Sequence, residues 1–331
     1  MPDHKITNDR SVKPPQNSRQ QWRRIRAVLE EKSLQRKRLG IRRITVLRVV
    51  DNLSRAFAMF LRMVRLYESG YQNAERKVVQ YIDLHFSNLP EAFASYKILH
   101  LTDLHLDFVA GTGERISRRI KKLHCDLCVL TGDYRKGMKG RFDQILEPMK
   151  KIVNALDAKD GILAVLGNHD TFRMADAFEQ MGITVLTNET FTISRGNQKI
   201  SVTGLDDPHF YYTEHASHAL AESIDGFKIV IVHTPELYDF AAQNGYQFYL
   251  CGHTHGGQIC LPGGIPVVTH LYRGKRFYKG LWQYNGMKGY TNQGCGVIGI
   301  PVRFNTQSEI TLITLHNGDP PQPVKAKEGL L

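Results

Sequence analysis

His253 and His255 flank a single threonine in the stretch LCGHTHGG (residues 250–257), at the end of the apolar run Phe248–Cys251. In an extended segment alternate side chains share a face, so both imidazoles can reach one metal ion or two adjacent ones. Four other apolar runs end in the same way. Lys97–Thr102 leads to Asp103 and His105 (DLHLD), Leu127–Thr131 to Asp133 (GDY), Gly161–Leu166 to Asn168 and His169 (GNHD), and Phe227–Val232 to His233 (HTP). Together these loops offer at least seven oxygen or imidazole donors, too many for one tetrahedral ion. Two neighbouring ions with one carboxylate between them would use the whole set, and that arrangement suits phosphoryl chemistry. Each motif alone is weak. Five of them in strand-end register form a pattern.

The elements that must position these residues follow from the same spacing. Short apolar runs alternate with helix-like stretches at 114–123, 144–158 and 172–181, which predicts an α/β fold of helices layered on sheet. Loops at the strand ends of such folds converge on one crevice. The segments 190–205 and 308–315 alternate without intervening helices and predict antiparallel strands. Cys125 and Cys128 have redox or zinc-knuckle spacing, but no second pair completes a zinc site. Buried thiols in a reducing, cytoplasmic setting are expected.

The ordered set Asp103-Leu-His105, Gly132-Asp133, Gly167-Asn-His-Asp170, His233 and Gly252-His-Thr-His255 resembles the calcineurin-like metallophosphoesterase superfamily over roughly residues 95–316. The stretches HTHGGQ, GIPVRF (299–304) and GLDDP (204–208) resemble its bacterial branch, which includes a UDP-2,3-diacylglucosamine pyrophosphatase of lipid A synthesis. That resemblance implies a layered metallophosphoesterase β-sandwich flanked by helices. It also implies a division of labour: Asp103, His105 and His255 on one divalent ion, Asn168, His233 and His253 on the other, and Asp133 bridging. A hydroxide between the ions would attack phosphorus, and His169 would protonate the leaving oxygen. Mn²⁺ is the metal the resemblance favours, with Fe or Zn²⁺ compatible with the mixed O/N donors. Asp170 is expected to orient His169 or to cap the following helix. Arg135 is expected to clamp phosphate. Gly252 would permit the tight turn, and Gly256-Gly257 would let backbone or substrate approach closely. His100, His124, His209, His215 and His218 fit no motif and read as packing or surface residues. Insertions at 108–113, 137–141 and 261–290 are the expected seats of specificity. The same centre would serve a nuclease or a cyclic-nucleotide phosphodiesterase, while a non-catalytic scaffold would have lost ligands, and none is missing.

The chain has 331 residues, 42% of them hydrophobic, and a formal charge of +12. Residues 1–66 carry 17 Lys+Arg against 5 Asp+Glu, and the remainder carries 27 of each. Three parts are expected: a disordered tail over 1–18, a basic helical extension over 19–70, and a catalytic domain over 71–331. Within the extension, residues 46–67 read as one amphipathic helix, apolar at Val46, Val49, Val50, Leu53, Phe57, Phe60, Leu61, Val64 and Tyr67, with Arg48, Arg55 and Arg62 opposite. It is too short in uncharged residues to span a bilayer. It is expected to pack on the body, to dimerise, or to lie on an anionic membrane surface from the cytoplasmic side with Phe57, Phe60 and Leu61 in the acyl boundary. Nucleic acid is the less favoured partner, because the body itself is neutral by count.

Overall fold

The computed structural model describes residues 16–39 and 54–320. Among these residues the chain forms two six-stranded sheets. The first runs β1 (Lys77–Phe86), β14 (Ser308–Asn317), β2 (Tyr96–Leu101), β4 (Leu127–Leu130), β6 (Ile162–Ala164), β7 (Ile183–Val185). The second runs β12 (Gly280–Tyr284), β13 (Met287–Thr291), β11 (Phe248–Cys251), β10 (Phe227–Ile231), β9 (Gln198–Gly204), β8 (Glu189–Arg195). The strands β3 (His124–Cys125) and β5 (Asp157–Ala158) form a small separate pair.

Alternation of side chains builds the layers. Ile98, Leu127, Val129 and Leu163 face inward against Val202, Ile229, Ile231, Phe248 and Leu250 of the opposite sheet. Their neighbours Leu99, Leu101, Cys128, Leu130 and Ala164 face outward, against the helices Thr112–Ile120 and Leu146–Ala155. On the far side Val230, Val232, Tyr249 and Cys251 meet the helices Glu214–Ala221 and Tyr238–Gln243. Strands covered on both faces have no polar side, which is why their sequences read as unbroken apolar runs. The expected layered α/β sandwich is therefore present, and the five cysteines are buried free thiols.

The antiparallel expectation holds for β8 with β9 and for β14 with β2, but β14 also pairs in parallel with β1. A ten-residue strand inserted between two others satisfies a different neighbour on each edge, and alternation within one strand cannot disclose that.

The N-terminal region differs most from expectation. A helix starts at Gln16, inside the segment expected to be a disordered tail, and continues to Leu39. It lies on the catalytic body: Trp22 is 7% exposed and Arg26 is 0% exposed. Arg19 pairs with Glu179 and Glu189, Arg23 with Asp176, and Arg26 with Asp206. The anionic partner of these three arginines is the body's own acidic surface. Of the predicted 46–67 helix, residues 46–53 lie outside the described residues. The part described is a helix over 54–63, followed by a turn with Arg65 at φ 61 and a new helix from Tyr67. Leu61, which only the membrane-surface alternative would place in a lipid boundary, is 4% exposed, in keeping with the alternative of packing on the body, whereas Met59, Phe60 and Met63 are 72%, 49% and 74% exposed. Among the described residues no helix is long and apolar enough to cross a membrane.

Candidate metal centre

The candidate ligands leave the C-terminal ends of parallel strands: Asp103 and His105 after β2, Asp133 after β4, Asn168 after β6, His233 after β10, and His253 and His255 after β11. The structure brings all seven together. Asp103, His105 and His255 form one buried group, and Asp133, His233 and His253 a second, with the ligating atoms of each within 4.8 Å of one another. Asn168 joins the second group, its Oδ1 lying 3.0 Å from His233 Nε2 and 2.9 Å from His253 Nδ1. In the first group His105 Nε2 lies 3.1 Å from His255 Nε2, and His255 Nε2 lies 3.4 Å from Asp103 Oδ1. Asp133 Oδ2 is 3.4 Å from His233 Nε2 and 4.0 Å from His105 Nε2, so one oxygen faces both groups.

The donor chemistry fits cations. His105 Nδ1 donates to Arg135 O at 2.9 Å and His233 Nδ1 to Thr131 O at 2.7 Å. Each carbonyl can only accept, so in the neutral ring each Nε2 is left as a lone pair aimed at the centre. Ligands held about 2.0–2.2 Å from one ion are separated by roughly 3 Å, the spacing these atoms show. Asp103 Oδ1 is buried without a hydrogen-bond partner.

Electrostatics point the same way. Burial opposes charge on His233, yet the Asp133 carboxylate, assisted by Asp103 and Asp207, carries its pKa up to about 10. Burial also opposes ionisation of Asp133, but His233, His169 and His105 hold its carboxyl well below the usual range. The field that favours a proton on His233 would favour any cation there. His105 is lowered to about 4 by burial, and His253 and His255 are held well below the usual histidine range by burial and by neighbouring imidazoles. Neutral imidazole is the form that ligates metal.

Backbone strain accompanies this convergence. Asp103, His105, Asp133, His253 and His255 have φ of 51, 40, 58, 72 and 52 degrees. A left-handed non-glycine residue costs on the order of 1–2 kcal/mol and persists where the surrounding structure enforces it. Gly252 serves differently from the tight turn expected of it. A Cβ there would lie 2.2 Å from Thr102 Oγ1 and 2.4 Å from Asp103 Oδ2, while His253 N donates to that same Asp103 oxygen at 2.9 Å. Gly252→Ala is therefore expected to push Asp103 off its position and weaken metal uptake about 10- to 100-fold, the usual cost of disturbing a ligand's support. A Mn²⁺ titration matching the wild type would reject this role for the glycine.

Asp170 and Arg135 are both engaged with backbone groups. The Asp170 carboxylate accepts from Gly167 N at 2.7 Å, Asp133 N at 2.7 Å and Tyr134 N at 2.9 Å, knitting the GNHD and GDY loops together. It does not cap the next helix, whose N-cap is Arg173. Burial and the nearby Asp133 raise its pKa to about 7. Arg135 is 2% exposed, and its guanidinium donates to the carbonyls of Gly140 and Lys139. It braces the 137–141 insertion because those carbonyls have no strand partner. His169 lies at the mouth, its side chain 24% exposed, with Nε2 3.9 Å from Asp133 Oδ2 and its ring edge-on to His105.

Sequence reasoning passed over His209 and the support of the GNHD turn. The His209 ring lies 4.7 Å from that of His253 and stacks at 4.5 Å on Tyr272, while its Nδ1 meets Glu236 at 3.1 Å. Its place directly after GLDDP was the available signal. Arg303, within GIPVRF, is wholly buried and donates to His255 O at 2.9 Å and to the carbonyls of Gln293, Gly294 and Gly296.

A two-sheet sandwich whose strand ends gather two His/Asp groups defines a metallophosphoesterase-type centre, and residues 96–257 match the family described as calcineurin-like phosphoesterase. The chain is 31% identical over 239 residues to the uncharacterized metallophosphoesterase YkuE of Bacillus subtilis, covering 69% of this chain and 82% of that one. It belongs to the calcineurin-like phosphoesterase family and is a metal-dependent phosphoesterase. It is also 27% identical to the phosphodiesterase YaeI of Escherichia coli, over 67% of this chain and 83% of that one. A zebrafish transmembrane protein with a metallophosphoesterase domain is 27% identical over 74% of this chain and 59% of its own length.

Proposed function

We propose that the chain hydrolyses a phosphodiester or pyrophosphate bond in an amphiphilic, lipid-linked substrate at a dinuclear centre. Asp103, His105 and His255 hold one divalent ion, Asn168, His233 and His253 the other, and Asp133 stands between them. Mn²⁺ is the preferred metal, with Fe or Zn²⁺ compatible with the same donors. When bound, the ions neutralise phosphate charge and lower the pKa of water. His169, at the mouth, donates the proton to the leaving oxygen. The His209–Tyr272 stack forms the wall beside His253.

The observation that carries the amphiphilic reading is an exposed apolar rim. Leu261, Ile265, Val267 and Val268 are 55%, 60%, 59% and 50% exposed, on the loop between the HTHGG turn and Tyr272. Phe304, which links to this loop root through Gln258 O and Cys260 N, also packs under Gly70, and Arg303 N donates to Gly70 O. The helix pair bearing Met59, Phe60 and Met63 and the 261–268 loop thus flank one segment of chain. Arg55, Arg62 and Arg65 are exposed beside those apolar residues, a combination suited to an anionic lipid surface. The name phosphodiesterase carried by the relative YaeI supports the bond type.

The test is hydrolysis by Mn²⁺-loaded full-length protein of bis-p-nitrophenyl phosphate, cyclic nucleotides, single-stranded DNA and UDP-diacylglucosamine in anionic vesicles. The vesicle-borne substrate is expected to have the highest kcat/KM. The double change Ile265→Ser/Val267→Ser should lower it about 100-fold more than the small diester, since two buried aliphatic side chains together contribute ~3 kcal/mol or more. DNA or a cyclic nucleotide as best substrate, or equal losses on both substrates, would overturn the lipid assignment and leave the phosphoesterase standing.

A further inference from the structure

The turn that carries Asn168 and His169 is held from behind by the N-terminal helix. Arg26, 0% exposed, donates Nη2 to Gly167 O at 3.1 Å and to Asp170 O at 3.2 Å, the carbonyls on either side of the Asn168-His169 pair. The carbonyl of Asn168 itself accepts from Tyr211 OH at 3.3 Å, and the Arg26 guanidinium lies 3.4 Å over the centre of that tyrosine ring. The fork is fixed by Asp206, which pairs with Nη1, and by Glu30, which accepts from Nε at 3.1 Å. Asp206 is in turn held by Trp22 Nε1 at 2.9 Å. One turn further along the helix, Glu30 accepts from Phe172 N and from Thr171 Oγ1, each at 2.8 Å.

The carbonyls of Gly167, Asn168 and Asp170 are thereby engaged by Arg26 and Tyr211, while the Asn168 Oδ1 faces His233 and His253. We infer that Arg26 is a positioning residue for one half of the metal centre, so that the N-terminal helix is a structural part of the active site rather than a separate extension. The inference rests on the reading of Asn168 as a ligand. A lysine at 26 keeps the charge beside Asp206 but, as a point donor, cannot span two carbonyls while pairing with a carboxylate. The consequence is asymmetric: the ion held by Asn168, His233 and His253 depends on Arg26, and the ion held by Asp103, His105 and His255 does not.

The test is calorimetric Mn²⁺ titration of the full chain, wild type against Arg26→Lys, with kcat and KM on bis-p-nitrophenyl phosphate in parallel. Arg26→Lys should bind one ion as the wild type does and the second about 10- to 100-fold more weakly, with the loss in kcat rather than KM. Guanidinium at millimolar concentration should partly restore the second ion in Arg26→Gly. Because a buried Asp206 left unpaired can unfold the chain, Arg26→Gln/Asp206→Asn is the matching neutral pair and should show the same asymmetry. Arg23→Ala, which removes an exposed pair with Asp176, should titrate as the wild type. Equal weakening of both ions, or two unchanged ions in Arg26→Lys, would overturn the inference. A wild type that binds two ions but hydrolyses nothing would instead sink the proposed function and leave the role of Arg26 intact. A wild type that takes up no ion would sink both.

Discussion

Asp133→Asn is expected to lose both ions and, with them, turnover. Asp133 Oδ1 accepts from His169 N at 2.8 Å, and that bond would keep an asparagine oxygen in the same place. The amide NH₂ would then replace Oδ2, turning partial positive charge toward His233 and His105, the residues 3.4 Å and 4.0 Å from Oδ2. A ligand facing both groups would become a repulsive donor for both. The lost ions remove several kcal/mol of charge stabilisation, a fall in kcat of about 10³-fold or more. Metal content by mass spectrometry should fall from two ions per chain toward none. Two retained ions with activity would mean that Asp133 does not join the halves.

His169→Ala is expected to behave in the opposite way, with metal content nearly intact and kcat lowered about 10²- to 10⁴-fold, the range of general acid catalysis. Its side chain is 24% exposed at the mouth, and its ring is not among either ligand group. The defect should shrink for p-nitrophenol esters, whose leaving group needs no proton, and be largest for alkyl or sugar leaving groups. An equal defect across leaving groups would fail the proton-donor role. Because His169 N also holds Asp133, the alanine keeps that backbone bond, and the comparison isolates the ring.

The gathering of ligands was legible because of burial rules. A parallel strand covered on both faces must be an apolar run, and a loop must follow it. Polar residues immediately after Leu101, Leu130 and Cys251 therefore announce themselves as strand-end residues before any fold is known. The type of each donor, and the total being too large for one ion, are also properties of composition. Roles that depend on where a side chain finds its partner were not legible. Arg135 has the right type to serve a phosphate and Asp170 to orient a histidine, yet Arg135 donates to the carbonyls of Gly140 and Lys139, and Asp170 accepts from three backbone amides. Nothing local in the sequence distinguishes an arginine that meets a ligand from one that satisfies a buried carbonyl.

Charge patterning gave the same division. The excess of basic residues before position 67 is real, and its reading as a surface seeking anions was physically sound. Arg19, Arg23 and Arg26 find those anions on the body, at Glu179, Glu189, Asp176 and Asp206, which lie 150 or more residues away in the chain. A net charge counts residues but carries no information on long-range pairing. By itself, then, the sequence determined the placement of the donors after strands, their chemistry, the layered α/β plan and the resemblance to the family. The tertiary structure decided that five candidate ligands would sit in a left-handed backbone, that Gly252 leaves room for the close approach of Asp103, and that Arg26 would stand behind Asn168. Those outcomes come from contacts between segments far apart in the chain, and local spacing does not encode which distant segment will be the neighbour.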